Sequence, residues 1–234
     1  MTRSESNTHT HFGVPRCMQL GEIWTVATTS DDAFESDPMA LYINDNKKKS
    51  LSEKITSRIS TLFYYCMWYK NKSIFTIDGG IAVVVATLVQ NGPKSVTQII
   101  QDKLAKWFRF ILHSTANAVV QRRSKECKEK VSKMIGGNLG DQVKGMIYIE
   151  LLATSPRQQG HGFGTALLDK LTTIADQQAQ SAWLVSSNVA NKTFYNAHGF
   201  ETVGTVLLGD ESPDWGKEPV IVDLMVRKPM SRKL

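Results

Sequence analysis

Three glycines at alternate positions, Gly160, Gly162 and Gly164, constrain the fold of this chain more than any other feature. They follow an apolar, β-branched run at 145–154 and precede an amphipathic pattern at 165–178, which predicts a buried strand, a turn and a helix. Glycine lets successive backbone N–H groups approach a ligand, and a helix N-terminus adds partial positive charge. The turn is therefore predicted to bind phosphate or pyrophosphate, and the alternative is a turn that binds no ligand.

Two common phosphate-binding motifs do not match this turn. A dinucleotide-binding fingerprint requires GxGxxG, but Thr165 occupies the position of the third glycine. The fingerprint also requires an acidic residue after the next strand, where this sequence has Ser186, Ser187 and Asn188. A P-loop requires Gly-Lys followed by Ser or Thr, which the turn lacks. The turn therefore belongs to neither class of nucleotide site.

The cysteine pattern and the apolar runs exclude several other classes of protein. Cys17, Cys66 and Cys127 form no CxxC pair, so neither a disulfide framework nor a metal site is expected, and a reducing, cytoplasmic location is favoured. The longest apolar run, 81–89, is far shorter than the roughly 20 residues of a membrane span, so no membrane partner is expected. Residues 1–14 lack the apolar core of a secretory signal and are predicted to form a disordered tail.

The charge is concentrated in one segment. The formal net charge of +6 first suggests a nucleic-acid or membrane-surface partner. Residues 94–135 carry ten basic and three acidic side chains, a local charge of +7, so the other 192 residues carry −1. The segment has a helical pattern and the sequence has no aromatic-rich RNA-binding strand, so a nucleic-acid-binding module is the weaker alternative. A solvated helix face is the favoured interpretation of this segment.

The remaining periodicity predicts alternating strands and helices. Asp78-Gly79-Gly80 has the composition of a tight hairpin turn between two apolar strands. The order of elements after residue 145 favours an α/β or α+β arrangement. The predicted helices cover 51–69, 94–135, 165–178 and a short stretch between Asn188 and Gly199, with a loop at 136–140, and the predicted strands cover 73–76, 81–89, 145–154, 182–186, 200–208 and 220–226.

Two motifs lie on the predicted turn and on the short helix that follows it. They have the forms Gln-x-x-Gly-x-Gly and Asn-x-x-x-Tyr-x-x-x-Gly-Phe, and their residues are Gln159, Gly162, Gly164, Asn191, Tyr195, Gly199 and Phe200. In this order they resemble the GNAT superfamily of acyl-CoA N-acyltransferases, most strongly over 146–227. An AFxxDP helix end at 33–38 resembles the small-molecule branch that includes puromycin N-acetyltransferase.

The resemblance implies a fold, a domain organisation and a cosubstrate. The fold is α+β, with a mixed, mostly antiparallel central sheet and flanking helices in three layers, α/β/α. Residues 15–234 are expected to form a single domain, in which 94–140 is a basic helical insertion. Acetyl-CoA is the implied cosubstrate, no metal is implied, and the acceptor is an amine-bearing small molecule. No pattern in the sequence indicates an oligomeric state.

The resemblance also assigns roles to residues. Main-chain N–H groups of the turn are expected to hold the CoA pyrophosphate, while the end of the preceding strand and Asn191 are expected to bind pantetheine. Tyr195 is expected to protonate the departing thiolate, since a phenol with a pKa of about 10 suits a thiolate with a pKa of about 8–9. The expected cosubstrate-binding residues are Leu152, Ala153, Thr154, Gln159, Gly160, His161, Gly162, Phe163, Gly164, Thr165 and Asn191.

Glu150 is the candidate general base. It interrupts the apolar strand at 146–153, and a carboxylate among apolar neighbours is expected to bind protons more readily than one in water. The alternative is an outward-facing residue on the solvated side of the strand. The predicted function is an acetyl-CoA-dependent N-acetyltransferase that acts on the primary amine of a small molecule by direct attack in a ternary complex. Glu150 favours a second possibility, a protein or histone lysine acetyltransferase.

Overall fold

The computed structural model describes residues 13–45, 50–89, 92, 95–212 and 214–230, so most of the predicted tail at 1–14 lies outside the described residues. The α-helices in these ranges are α1 (Ile23–Ala33), α2 (Pro38–Ile43), α3 (Leu51–Trp68), α4 (Val96–Thr115), α5 (Ala118–Asn138), α6 (Phe163–Gln177) and α7 (Lys192–Ala197). The strands are β1 (Arg16–Cys17), β2 (Ser73–Ile77), β3 (Ala82–Thr87), β4 (Ile147–Thr154), β5 (Ala182–Ser186), β6 (Glu201–Leu208) and β7 (Val220–Arg227).

The strands form one mixed sheet in the order β1-β2-β3-β4-β5-β7-β6. Among the described strands, β4 and β5 are the one parallel pair, and all other neighbours are antiparallel. The β2–β3 connection is the predicted hairpin, in which Gly79 and Gly80 adopt φ values of 73° and 101°. These are left-handed conformations that glycine adopts without steric penalty. The predicted mixed, mostly antiparallel sheet is therefore confirmed.

Helices cover both faces of the sheet. On one face, Leu167, Leu168 and Leu171 of α6 are buried against β3 and β4. On the other face, Val26 and Ala27 of α1 pack together with α3, and a neighbouring cluster joins α2 and α5 to β6 and β7. Burial of these apolar faces is the main stabilising term for such layers. The predicted three-layer α/β/α arrangement is confirmed.

A β-bulge in β4 changes which side chains face each layer. Val85 pairs with Leu151 and Ala86 pairs with Ile149, so Glu150 is an extra residue in the ladder. Ile149 therefore packs on the α6 face while Leu151 packs on the α1 face, although only Glu150 separates them. In a regular strand these two residues would share a face. The bulge lies within the predicted strand and could not be seen in its apolar pattern.

The pairing of β4 with β5 ends early. The parallel register joins Ile147 to Ala182 and Tyr148 to Trp183, and no further pair follows, although both strands continue. On its other side, β4 stays paired with β3 as far as Thr154. In the second half of β4, the main-chain groups on the β5 side are therefore not paired with β5, and they face a gap between the two parallel strands.

The basic segment forms two helices, separated at 116–117, where one helical region was predicted. Asn117 caps α5, because its side chain accepts a hydrogen bond from the Val120 N–H at 3.0 Å. The prediction of a loop from residue 136 is wrong, since α5 continues through Gly136 and Gly137. Burial of Met134 and packing of α5 on β6 outweigh the helix penalty of about 1 kcal/mol for each glycine.

The basic side chains of α5 are not all solvated. The guanidinium of Arg123 is fully buried, donates to the Tyr42 carbonyl at 2.7 Å and pairs with Asp45 at 3.0 Å. Lys130 pairs with Glu126 at 2.9 Å and with Asp210 at 2.5 Å. The interpretation as a solvated face is therefore wrong for Arg123, and Lys130 is half-buried, whereas the other basic side chains of α5, Arg122, Lys125, Lys128 and Lys133, are exposed.

Candidate active site

The glycine turn exposes the N-terminus of α6. Gly160 and Gly162 adopt φ values of 81° and 78°, and Gly162 is the residue directly before the helix. No side chain of the described chain caps α6, and its first intrahelical bond runs from the Ala166 N–H to the Gly162 carbonyl at 3.0 Å. The N–H groups of residues 163–165 are therefore available to an anion, as the sequence pattern predicted.

A cavity of about 580 Å³ opens at this helix N-terminus. One wall is main chain from the end of β4, the turn and the first turn of α6, and the opposite wall is the segment that joins α1 to α2. The start of α7 forms the third side. The lining residues are Ala33, Phe34, Ser36, Asp37, Leu152, Ala153, Thr154, Gln158, Gln159, Gly160, Gly162, Phe163, Gly164, Thr165, Asn188, Asn191, Phe194 and Tyr195. The volume lies within the usual range for small-molecule sites, about 300–1,000 Å³.

All the residues that the sequence assigned to the site line this cavity, except Glu150 and His161. Leu152, Ala153 and Thr154 lie on the part of β4 that no longer pairs with β5. The Gln159 side chain donates to the Thr154 carbonyl at 3.4 Å, which ties the turn to the strand end. Two separate sequence motifs therefore meet at one cavity.

His161 lies outside the cavity. Its Nδ1 is 3.2 Å from the Gln158 carbonyl and 3.1 Å from the Gln159 carbonyl, so in this orientation the ring donates to its own turn. The ring also stacks near Phe163, with the centroids 6.0 Å apart. The His161 side chain therefore turns to its own loop, and its predicted part in cosubstrate binding stays a prediction.

Tyr195 lines the cavity and packs among aromatic side chains. Its ring packs edge-on to Phe194 and Phe200, with centroid distances of 5.2 Å and 6.0 Å. Burial raises the pKa of Tyr195 to about 12, because the phenolate is poorly solvated there. The phenol therefore keeps its proton throughout the neutral pH range and can donate it. Asn191, four residues earlier, directly precedes α7 and lines the same cavity.

The surroundings of Glu150 differ from those predicted. Its carboxylate forms an ion pair with the Lys72 ammonium and accepts a hydrogen bond from the Thr87 hydroxyl. The prediction of a carboxylate isolated among apolar neighbours is therefore wrong. The bulge explains the difference, because the extra residue turns towards the β2 and β3 side of the ladder, where Lys72 and Thr87 lie.

Asp37 is a carboxylate of the cavity wall that the sequence analysis did not single out. It is 8% exposed and lines the cavity together with Tyr195. Its Oδ1 accepts from the Met39 and Ala40 N–H groups at 3.0 Å, which caps α2. Its Oδ2 accepts from the Ser187 hydroxyl at 2.6 Å. The AFxxDP helix end at 33–38 contains this residue, but the resemblance assigned it no role.

A second cavity of about 500 Å³ adjoins the first and shares Asn188 with it. Trp215 lines this second cavity, and its indole N–H donates to the Glu218 carbonyl at 3.0 Å. Its ring meets Tyr42 edge-on at 5.0 Å. Trp215 therefore anchors the β6–β7 connection and also borders the second cavity.

Comparison with known proteins agrees with this architecture. One solved structure with a similar fold is arylalkylamine N-acetyltransferase 2 from Aedes aegypti, with a TM-score of 0.60 and 13% identity over 92% of this chain and 97% of that one. Another is mosquito arylalkylamine N-acetyltransferase like 5b, with a TM-score of 0.51 and 15% identity over 92% of this chain and 99% of that one. A third is the histone acetyltransferase HPA2 and related acetyltransferase from Corynebacterium glutamicum, with a TM-score of 0.56 and 13% identity over 95% of this chain and 99% of that one.

At these identities the structural similarity concerns the fold. A search of curated protein sequences gives no match. The sequence model of the acetyltransferase (GNAT) domain matches residues 95–211, which is half of the chain and includes the glycine turn, β4, β5 and Tyr195. The chain belongs to the GNAT acetyltransferase family.

Proposed function

We propose that this protein transfers an acetyl group from acetyl-CoA to the primary amine of a small molecule, with both substrates bound at once. The observation that carries the proposal is the convergence of three features on one cavity: the uncapped N-terminus of α6, the unpaired edge of β4 and the protonated phenol of Tyr195. Each feature suits a different part of an acyl-CoA thioester. The three cysteines all lie in the described chain and none lines the cavity, which favours direct transfer over a cysteine-bound acyl group.

The main chain is proposed to bind the cosubstrate. The N–H groups of residues 163–165 and the positive end of α6 would hold the pyrophosphate. The free edge of Leu152–Thr154 would form strand-like hydrogen bonds with the pantetheine amides, and Asn191 would add a side-chain contact. When bound, acetyl-CoA supplies an activated acyl group as a thioester. Main-chain donors placed near the reacting carbonyl would stabilise the negative charge that develops there.

Tyr195 is proposed as the proton donor to the departing sulfur. Since burial raises its pKa to about 12, the hydroxyl is fully protonated at neutral pH and holds a fixed place between Phe194 and Phe200. The leaving thiol of CoA resembles the thiol of cysteine, whose pKa is about 8.5. Its thiolate is therefore a good leaving group that needs only a hydrogen-bond or proton donor.

Asp37 is proposed to receive the proton of the attacking amine. An amine is protonated in neutral water, so a group on the cavity wall must hold the ammonium and accept its proton. Of the two carboxylates considered, Asp37 lines the cavity, whereas Glu150 lies outside it and pairs with Lys72. Asp37 lines the first cavity, Ser187 lines the second, and a hydrogen bond joins them, which supports an acceptor bound in the second cavity with its amine at the first. Glu150 then stabilises the bulge of β4.

The test is release of free thiol from acetyl-CoA with a panel of acceptors. The panel contains arylalkylamines, aliphatic polyamines and a lysine-containing peptide, and CoA binding is measured separately by calorimetry. We expect CoA to bind and at least one small amine to release thiol. Binding of CoA without release by any amine would contradict the proposed transfer, and release with the peptide alone would assign the protein to the lysine acetyltransferases.

A further inference from the structure

Strand β7 carries two buried charged side chains that the proposed reaction does not use. Asp223 is 5% exposed and Arg227 is 4% exposed, although the other six residues of the strand are apolar. Charged side chains are rarely buried unless they are paired, and apolar residues of similar volume often stabilise a protein at least as well. The two charges are therefore better explained by the geometry that they fix than by the stability that they add.

The two side chains lie on the same face of β7, because they are four residues apart in a strand. Met225, between them, belongs to the apolar cluster of the α6 layer, against which Phe194 and Tyr195 of α7 pack. Val222 and Leu224 face the opposite way, in the cluster that contains α2 and α5. The charged face of β7 is therefore the one on the α6 and α7 side of the sheet.

Each charged side chain contacts one end of α7. The Oδ2 atom of Asp223 is 3.4 Å from the ammonium of Lys192, the first residue of the helix, and its Oδ1 atom accepts from the Thr205 hydroxyl at 2.6 Å. At the other end, Nε of Arg227 donates to the carbonyl of His198, the residue directly after the helix, at 3.1 Å. Strand β7 therefore holds both ends of this six-residue helix.

Arg227 also joins α7 to α6, the helix whose N-terminus opens into the cavity. Its two terminal nitrogens donate to the two carboxylate oxygens of Asp176 at 2.7 Å and 2.8 Å. This two-point pairing fixes the plane of the guanidinium, which the ammonium of a lysine cannot reproduce. The position of α7 relative to α6 is therefore set by directed hydrogen bonds as well as by apolar packing.

The hydroxyl of Tyr195 depends on this support. Among the described residues none hydrogen-bonds this hydroxyl, and its place is set by the packing of its ring on Phe194 and Phe200 and by the course of α7. A helix of six residues is unstable on its own in water, because it has too few hydrogen bonds to offset the cost of nucleation. A shift of about 1 Å at a reacting group can lower a rate roughly a hundredfold.

We propose that Asp223 and Arg227 are positioning residues, which fix both ends of α7 and so hold the Tyr195 hydroxyl where it protonates the departing sulfur. The inference rests on the proposed role of Tyr195 in the transfer, and it adds two residues that do not line the cavity. Arg227 has the larger part, because it binds both helices, whereas the Lys192 partner of Asp223 is 45% exposed. The alternative is that the two residues contribute to stability alone.

The first test is Arg227→Lys, which keeps the positive charge but loses the two-point pairing with Asp176. We expect kcat for thiol release to fall roughly 10–100-fold. The KM for acetyl-CoA should change little, because the N-terminus of α6 lies about 20 Å along the helix from Asp176. In the Tyr195→Phe background, Arg227→Lys should lower kcat less than about twofold, since its effect acts through the hydroxyl that is already lost. An equal fall in both backgrounds would overturn the proposal.

Asp223→Asn tests the other end of α7. Its kcat should fall about 2–5-fold, because an ion pair with a half-exposed lysine is partly screened. Asparagine can still accept from Thr205, so the fold should be retained. Arg16→Lys is the matched control, because Arg16 makes a two-point pairing with Glu22 and neither residue lines the cavity. This control should leave kcat unchanged, and circular dichroism confirms that each variant is folded.

Fluorine NMR of protein labelled with 3-fluorotyrosine tests the position of Tyr195 without any turnover. The resonance of Tyr195 is identified by its loss from Tyr195→Phe. We expect this resonance to shift or broaden in Arg227→Lys and to stay unchanged in Arg16→Lys. A Tyr195 resonance that is the same in the wild type and in Arg227→Lys would overturn the proposal. If no amine released thiol, the proposed transfer would fail, and this measurement would still decide whether β7 fixes Tyr195.

Discussion

The two walls of the cavity are built in different ways. The wall formed by β4, the glycine turn and α6 presents main-chain N–H and C=O groups, which are fixed by the course of the backbone. The wall between α1 and α2 presents a side chain, the carboxylate of Asp37, which is held by the α2 N-terminus and by Ser187. The first wall suits the invariant parts of a cosubstrate, and the second suits the chemistry of an acceptor.

The difference also explains how each wall responds to substitution. The wall formed by β4, the glycine turn and α6 is called the backbone wall. Side-chain changes on this wall act indirectly, by altering φ or the position of the turn. A change on the Asp37 wall removes a functional group and leaves the backbone in place. Variants on the two walls should therefore separate binding of the cosubstrate from catalysis, and the following predictions test that separation.

Asp37→Asn is expected to have the largest effect. Asparagine keeps an oxygen that can cap α2, so the fold should be retained, but the proton acceptor is lost, and kcat should fall by about 10²–10⁴-fold. The dissociation constant of CoA, measured by calorimetry, should change little. Glu150→Gln is the competing variant. A larger fall in kcat for Glu150→Gln, with its melting temperature unchanged, would reverse the assignment of the base.

Tyr195→Phe should lower kcat by about 10²-fold, near the lower end for acid–base groups, because a thiolate is a good leaving group. The KM for acetyl-CoA should be nearly unchanged, since the lost proton transfer belongs to the transition state. In the wild type, ionisation of Tyr195 should lower kcat only as the pH approaches about 12. A fall in kcat near pH 10, the ordinary value for tyrosine, that is absent from Tyr195→Phe would show that the pKa is not raised.

Gly162→Ala tests the backbone wall. Alanine disfavours the left-handed conformation with φ of 78° that Gly162 adopts, so the turn should shift and move the N–H groups at the start of α6. Loss of one charge-assisted hydrogen bond should raise the dissociation constant of CoA roughly 10–100-fold, which calorimetry measures. The kcat at saturating acetyl-CoA should fall much less. An unchanged dissociation constant would exclude the turn from pyrophosphate binding.

Gly136→Ala changes a comparison glycine outside the cavity. It should have the smallest effect of the four substitutions, and it should stabilise the protein. Gly136 is helical, and a Cβ at this position would meet no atom within 4 Å. The free energy of unfolding should rise by about 0.5–1 kcal/mol, because alanine loses less conformational entropy in a helix. Urea denaturation measures this change. Neither CoA binding nor kcat should alter, and a loss of CoA affinity would show that glycine substitutions act on the site non-specifically.

Much of the backbone wall could be predicted from the sequence because its signals are local. The apolar run of β4, the alternating glycines and the periodicity of α6 are adjacent in the chain, and each specifies its own geometry. The second motif was also local, with Asn191 directly before the short helix that carries Tyr195. The order of elements then indicated a layered fold with a mixed sheet, which the structure confirms.

The remaining features depend on contacts between distant residues. Glu150 is separated by 78 positions from Lys72, and Asp37 by 150 positions from Ser187, so no local pattern could reveal either pair. The bulge in β4 arises from its register with β3 and leaves no trace in an apolar run. The helical conformation of Gly136 likewise reflects packing of α5 on the sheet, which overrides local propensity.

The bulge at Glu150 makes the place of a length change in β4 a stricter inherited constraint than the composition of the strand. Deletion of Glu150 itself would restore regular alternation and leave every other residue on its present face, because Ile149 and Leu151 already pair with neighbouring residues of β3. Deletion of a residue between Glu150 and the glycine turn would instead exchange the faces of the residues on one side of the deletion. The main-chain groups of those residues would reverse direction as well. Point substitutions in this strand change one side chain at a time. A homologue can therefore lose the bulge residue or diverge widely along β4, but it should rarely gain or lose a residue between the bulge and the glycine turn.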